Sequence, residues 1–199
     1  MNHITRAGIQ HMPIHYASCL HAALTITGTA RPAIGWPIVI HTKRCTIRPL
    51  VETDIDAVVA YRNDTTWMRY QGLKGLDRQA YIDKLIGSGF CPTSGGQLAI
   101  IEDATSRIIG DLFISITPPS CRIGFTISRA QARQGFGFEA VAGLIEAVTA
   151  LPGITLVKAD ADPDNVASIK LLNKLGFTLV GTKDDSVFYE LTLAKPAKH

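Results

Sequence analysis

The sequence predicts a mixed α/β domain with the element order β-α-α-β-β-β-α-β-α-β-β. Three observations carry this. Short β-branched runs alternate with stretches at helical spacing. Three strand runs follow one another through "DATS" and "TPPS", so part of the sheet is an antiparallel meander. The 199 residues are 46% hydrophobic, which suits one globular domain with a real core and an appendage.

The elements follow in order. "RCTIRPL" (44–50) alternates and is β-branched, so it reads as a strand. "VETDIDAVVAYRND" reads as a helix, with Thr53 as cap and Asp56 three residues later in a weak capping box. "LDRQAYIDKLIGSG" reads as a second helix ending near Gly87–Gly89, and "CPTSGG" as a loop. Strands are expected at 97–103, 107–116 and 121–128. Val141, Leu144, Ile145, Val148 and Leu151 then fall at helical spacing, and Pro152 and Gly153 end that helix. "ITLVKADA" is a strand. "DPDNVASIKLLNKLG" is a helix, with Asp162 at N-cap, Pro163 at N1 and Gly176 just past its end. "FTLVGT" and "VFYELTLA" are the last two strands.

Residues 1–42 differ from the rest. The first acidic residue of the chain is Glu52, and five of the six histidines precede Lys43. His11, His15 and Cys19 are spaced by four, which on a helix would share a face and suit zinc. Pro13 breaks that helix, so no metal site is assigned. Arg6 and Arg31 are too few for an organellar presequence, and "CLHAAL" is too short for a secretory signal. The segment reads as a poorly specified N-terminal extension, with the domain spanning 43–199.

The net charge of +3 allows an anionic cofactor but shows no basic, aromatic-interleaved stripe for nucleic acid. Cys19, Cys45, Cys91 and Cys121 form no CxxC pair, which points to reduced thiols in a cytoplasmic setting. No apolar run reaches the roughly 18 residues a membrane span needs. A monomer or homodimer is expected.

"ARQGFGFEAV" (132–141) sits between a strand and a helix. Free N–H groups and partial positive charge at a helix start bind anions, and glycine lets the backbone approach the ligand. The Rossmann spacing fails because position 140 is Ala140, and no G-K-[ST] follows for a Walker loop. From the loop alone, a tight turn into a packed helix is an equal reading.

The second motif changes that balance. "DPDNVASIKLLNKLGF" resembles the signature of the GNAT acetyltransferases, in particular the RimJ/RimL-like branch. Pro163, Asn165, Ser168, Leu175, Gly176 and Phe177 stand in register with it. The glycine loop resembles that family's Q/R-x-x-G-x-G/A loop for acetyl-CoA, and "IRPL", "IIGDLFI" and "RIGFTIS" are also similar. The resemblance covers residues 44–194. The motif's opening Gln/Arg falls on Ala132, Arg122 stands where many relatives carry an acid, and a commonly used tyrosine falls on Leu172.

The resemblance implies a GNAT fold: a mostly antiparallel sheet, flanked by helices, with splayed central strands. It implies acetyl-CoA as co-substrate, held by Gln134, Gly135, Phe136, Gly137 and Phe138, with Asn165 and Ser168 facing the pantetheine and the sulfur. An N–H near Thr126 or Ile127 would polarise the thioester carbonyl. Ser168 would stand nearest the departing thiolate. Trp67, Met68 and Tyr70 lie in the segment that resembles the acceptor-side loop, though ordinary packing explains them as well. The implied partner is an amine acceptor, a protein N-terminus or a small molecule. Asp111, Glu102 and Asp160 read as solvated strand carboxylates, and no general base is named. The alternative is a catalytically weak acyl-CoA-binding sensor or partner module.

Overall fold

The computed structural model describes residues 39–87 and 89–194. The His11–His15–Cys19 spacing and residues 1–38 of the proposed extension lie outside the described residues. The strands are β1 (Ile40–His41), β2 (Cys45–Pro49), β3 (Gly95–Glu102), β4 (Arg107–Thr117), β5 (Ser120–Ile127), β6 (Leu156–Ala161), β7 (Thr178–Lys183) and β8 (Ser186–Thr192). The helices are α1 (Ile55–Arg62), α2 (Arg78–Tyr81, continued by a π turn at Ile82–Ile86), α3 (Phe136–Thr149) and α4 (Val166–Lys174).

All eight strands form one sheet in the order β1-β2-β3-β4-β5-β6-β8-β7. The β5–β6 pair is parallel and the other six are antiparallel. The mixed, mostly antiparallel sheet flanked by helices is the expected one, in the expected order. The addition is β1, which pairs with β2 through Ile40↔Ile47 and His41↔Thr46. The domain's first hairpin therefore begins before residue 43.

Two apolar cores lie on opposite sheet faces. On one face, Ile47, Leu98, Ile100, Leu112 and Ile114 pack with Val141, Leu144 and Val148 of α3. Burying each such side chain stabilises by about 1.5–3 kcal/mol. On the other face, Ala99 packs with Ile55, Val58 and Tyr61 of α1, together with Met68 and Tyr81.

The helix starts differ from the sequence reading. Thr53 does not cap α1. It lies in a 3₁₀ turn (Glu52–Asp54), and Asp54 turns back to accept the Val51 N–H and two bonds from Arg48. Asp162 does not cap α4. Its carboxylate accepts from the Asp164 N–H in a preceding turn, and Asn165 caps instead, accepting from the Ser168 N–H at 3.2 Å. Asp77 caps α2 through the Ala80 N–H.

Candidate active site

The site begins where β5 and β6 part. Their pairing covers only Ser120↔Leu156, Cys121↔Val157 and Arg122↔Lys158. From Ile123 onward β5 keeps β4 on one side and, among the described residues, has no ladder partner on the other. This is the expected splay. It opens a cleft of about 420 Å³, lined among others by Tyr70, Gln71, Phe125, Asp160, Asn165 and Ser168.

The ladder decides which groups face the cleft. The Ser128 N–H donates to the Ile109 carbonyl, so alternate residues of β5 point toward β4. Thr126 is one of them, and its N–H is turned away from the open edge. Its hydroxyl is buried beneath the sheet, 3.4 Å from Arg62 Nη2. Ile127 and Phe125 point the other way. Their carbonyls accept from Trp67 Nε1 at 2.8 Å and Gln71 Nε2 at 3.4 Å. Of the two amides expected to polarise a carbonyl, Ile127's lies on the open edge and Thr126's does not.

β5 runs through a 3₁₀ turn (Arg129–Gln131) into the glycine loop. Gly135 caps α3 with φ +86°, a left-handed conformation that glycine adopts without strain. The Glu139 N–H bonds to the Gly135 carbonyl, so the N–H groups of Phe136, Gly137 and Phe138 are those the helix leaves free. Gly137 has a different reason to be small. A Cβ there would lie 3.1 Å from Leu171 Cδ1 and 3.4 Å from Ile127 Cγ1, so Gly137 lets α3 approach α4 and β5. Phe136 buries its ring, and Phe138 packs its ring under Lys174 at 4.5 Å. Arg133 also has a positive φ, +62°, which costs a non-glycine residue on the order of 1 kcal/mol.

Sequence reading missed the clamp behind this loop. Arg44 donates from Nε to Glu139 Oε2 at 2.7 Å and from Nη1 to the Gln134 carbonyl at 3.1 Å. Its guanidinium lies 4.2 Å from the Phe136 ring centroid. Thr42 adds a hydroxyl bond to Glu139 Oε1 at 2.8 Å. Burial raises the Glu139 pKa, but the bonds from Arg44 and Thr42 outweigh it and hold the carboxyl below its ordinary value. These partners are 90 or more positions apart in sequence, and no local pattern announces them.

The remaining expected residues separate into cleft and core. Asn165 and Ser168 line the cleft, and the Ser168 hydroxyl bonds to none of the described residues. Leu172, where the commonly used tyrosine falls, is fully buried in the core. Tyr70 lines the cleft and Trp67 holds the β5 edge, whereas Met68 is buried under α1 as packing. Asp111 is not a solvated strand charge. It is 1% exposed and accepts from Tyr61, Arg62 and Gln97. Asp160 pairs with Arg122, whose Nε lies 3.0 Å from Oδ1. Glu102 accepts from Thr105. Burial pushes the Cys45 and Cys121 thiols up to about 11, so both stay protonated at neutral pH and unfit as nucleophiles. Among the described residues no group of three His, Cys, Asp or Glu is placed to hold a metal, and no helix is long and apolar enough to cross a membrane.

A strand that splays from its parallel neighbour and leads into a glycine-capped helix is the arrangement that the GNAT resemblance implies. The chain belongs to the GNAT acetyltransferase domain family, whose model matches residues 44–178. It is 26% identical over 152 residues to an uncharacterized N-acetyltransferase, p20, of Bacillus licheniformis, covering 73% of this chain and 85% of that protein. A GNAT acetyltransferase from Bacillus anthracis superposes with a TM-score of 0.68 at 16% identity, covering 77% of this chain and 98% of that one. RimJ of Mycobacterium smegmatis, in complex with a CoA-disulfide, superposes at 0.66 and 18% identity over 79% and 88% of the two chains. RimL, a ribosomal L7/L12 α-N-protein acetyltransferase in complex with coenzyme A, gives 0.63 and 16% over 78% and 98%.

Proposed function

We propose that the chain is an acetyl-CoA-dependent N-acetyltransferase acting on a primary amine, a protein N-terminus or a small molecule. The carrying observation is continuity. The open edge of β5 leads through one short loop to the free N–H groups of α3, and Ser168 lines the cleft along that edge.

The residues present fit acetyl-CoA. Gly135 makes its left-handed turn with no side chain at the start of α3, where the N–H groups of residues 134–138 with the α3 dipole would meet the charge of a diphosphate. Arg44 holds this loop in place, its own charge matched by Glu139. Asn165 fixes the first turn of α4 and so sets where Ser168 stands. When bound, acetyl-CoA supplies the thioester acetyl group that an amine attacks. The Ile127 N–H is aimed to polarise a carbonyl on the open edge, and the Ser168 hydroxyl to hydrogen-bond a nearby sulfur.

The amine must be neutral to attack. An α-amine with a pKa of about 7.7–8.0 is partly neutral near pH 7, whereas a lysine amine near 10.4 is almost wholly charged. Asp111 is saturated by donors and Asp160 is paired. An acceptor with an α-amine, losing its proton to water, asks least of this site. The likeness of fold to RimL, an α-N-protein acetyltransferase, agrees with a protein N-terminus.

The test is thiol release from acetyl-CoA with the full chain and a panel of α-amine peptides, polyamines and small amines. Binding is followed in parallel by calorimetry. Gly135→Glu places a side chain and a negative charge in the diphosphate position and should lower CoA affinity by at least tenfold. Unchanged CoA binding in that variant would disprove the loop assignment. Tight binding with no acceptor turned over would favour an acyl-CoA sensor.

A further inference from the structure

Arg62 ends α1 with its side chain buried. Its guanidinium serves three partners, the most distant being the Thr126 hydroxyl at 3.4 Å. Nη2 and Nε donate to Asp111 at 2.6 and 3.1 Å, and Nη1 donates to the Leu73 carbonyl at 2.8 Å. Asp111 is fixed on β4 and also accepts from the Tyr61 hydroxyl and Gln97 Nε2. Burial works to lower the Arg62 pKa, but Asp111 outweighs it and holds the cation above its ordinary value.

Leu73 belongs to the segment that carries Trp67, Tyr70 and Gln71. That segment touches β5 through Trp67 and Gln71 and is tied to the sheet interior through Arg62. The cleft wall made by Tyr70, Gln71 and Gly72 is therefore suspended between the β5 edge and the Arg62–Asp111 pair. A buried ion pair is poor at stabilising a fold, because desolvation costs offset the attraction and apolar replacements serve as well. What apolar side chains cannot do is donate to the Leu73 carbonyl.

We infer that Arg62 is a positioning residue that sets the Tyr70–Gly72 wall of the cleft at a fixed distance from β5, and so governs how the acceptor is held. This rests on the reading of the segment that carries Trp67 and Tyr70 as the acceptor side of the cleft. Arg62 touches neither the free N–H groups of α3 nor the Gly135 loop, so its loss spares CoA binding.

Two full-length variants test the inference. Arg62→Lys keeps a cation beside Asp111, but an ammonium lacks the fork that reaches Leu73 at the same time. The double variant Arg62→Met with Asp111→Asn removes both charges and keeps an oxygen for Tyr61 and Gln97, so it reads the result if the lysine variant fails to fold. The probe is a hexapeptide with a free N-terminal alanine, beside CoA calorimetry and hydrogen exchange of residues 63–76. The expected result is a peptide KM raised about tenfold with kcat changed less than threefold, the size of effect one lost hydrogen bond gives. CoA affinity should stay within threefold of the parent, and exchange in residues 63–76 should quicken at least tenfold. Parent-like KM and exchange in a folded variant would overturn the positioning role. If the parent turns over no amine, the acceptor reading fails by itself. Faster exchange at unchanged CoA affinity would then still support Arg62 as the anchor of the wall.

Discussion

Ser168 is the residue whose chemistry can be isolated most cleanly. Its hydroxyl faces the cleft unpartnered by any described residue, while its N–H is taken by Asn165. A thiolate with a pKa of about 8.5 leaves readily and needs little acid assistance. A hydrogen bond that strengthens as charge gathers on sulfur should therefore be worth about ten- to a hundredfold in kcat. Ser168→Ala should lose that factor with CoA affinity nearly unchanged; full activity at saturating acceptor would point to water as the proton source. Glu139 offers a pH signature. Its pKa is lowered on folding, so its stabilisation is complete above the unfolded value of about 4.3 and is lost as pH falls through the folded one. In urea unfolding, Glu139→Gln should be less stable by about 1 kcal/mol at pH 7, discounted for the exposure of Arg44, with the gap closing below about pH 4. A gap independent of pH would mean that the ion pair is not its source. The turn at Gly135 was legible from its neighbours in sequence, whereas Asn165 and Ser168 were singled out only through the family likeness. Arg44 and Arg62 were not legible, because their partners arrive from distant strands.

At the scale of elements, periodicity carried the order of strands and helices, and the errors fell where a side chain chose a different backbone partner. Thr53 was read as a cap but lies in the 3₁₀ turn that Asp54 closes, and Asp162 spends its carboxylate on the preceding turn. The splay was legible only through the family likeness, since alternation in "CRIGFTIS" does not say where a ladder stops. Gly110 keeps β5 in its place. A Cβ there would sit 2.2 Å from the Thr126 carbonyl oxygen, and backbone cannot move aside as a flexible side-chain tip does. Gly110→Ala should force β4 and β5 apart at the end that carries Ile127. Overpacking of this kind costs about 1–3 kcal/mol, a drop in Tm of roughly 3–10 °C for a chain of this size. CoA affinity should fall as well, since the open edge shifts. An alanine variant with parent-like Tm and CoA binding would show that the strand pair yields at no cost.

For the whole molecule, the open question is where the folding unit starts. Composition placed the boundary at 42/43, and the family match begins at residue 44. The sheet begins earlier. Ile40 is 9% exposed and pairs with Ile47, and Thr42 bonds to the Cys45 carbonyl and to Glu139. Thr42 also lies against α3, its Cγ2 2.7 Å from where a Cβ on Gly143 would stand. The first hairpin is thus fastened to the helix whose N-terminus forms the proposed diphosphate site. We propose that the folding unit starts at Val39. Starting the chain at Lys43 removes the burial of Ile40, about 1.5–3 kcal/mol, and the Thr42 hydrogen bonds, about 1 kcal/mol each. The expected loss is roughly 3.5–5 kcal/mol, or about 7–20 °C in Tm. It should be accompanied by weaker CoA binding, since Glu139 keeps Arg44 but loses Thr42. A chain starting at Val39 should unfold within a few degrees of the full sequence and bind CoA equally well. The comparison is three melting curves and three CoA titrations under one buffer. Equal Tm values for the Lys43 and Val39 starts would show that the hairpin adds nothing, and a Val39 start that does not fold would place the boundary further upstream.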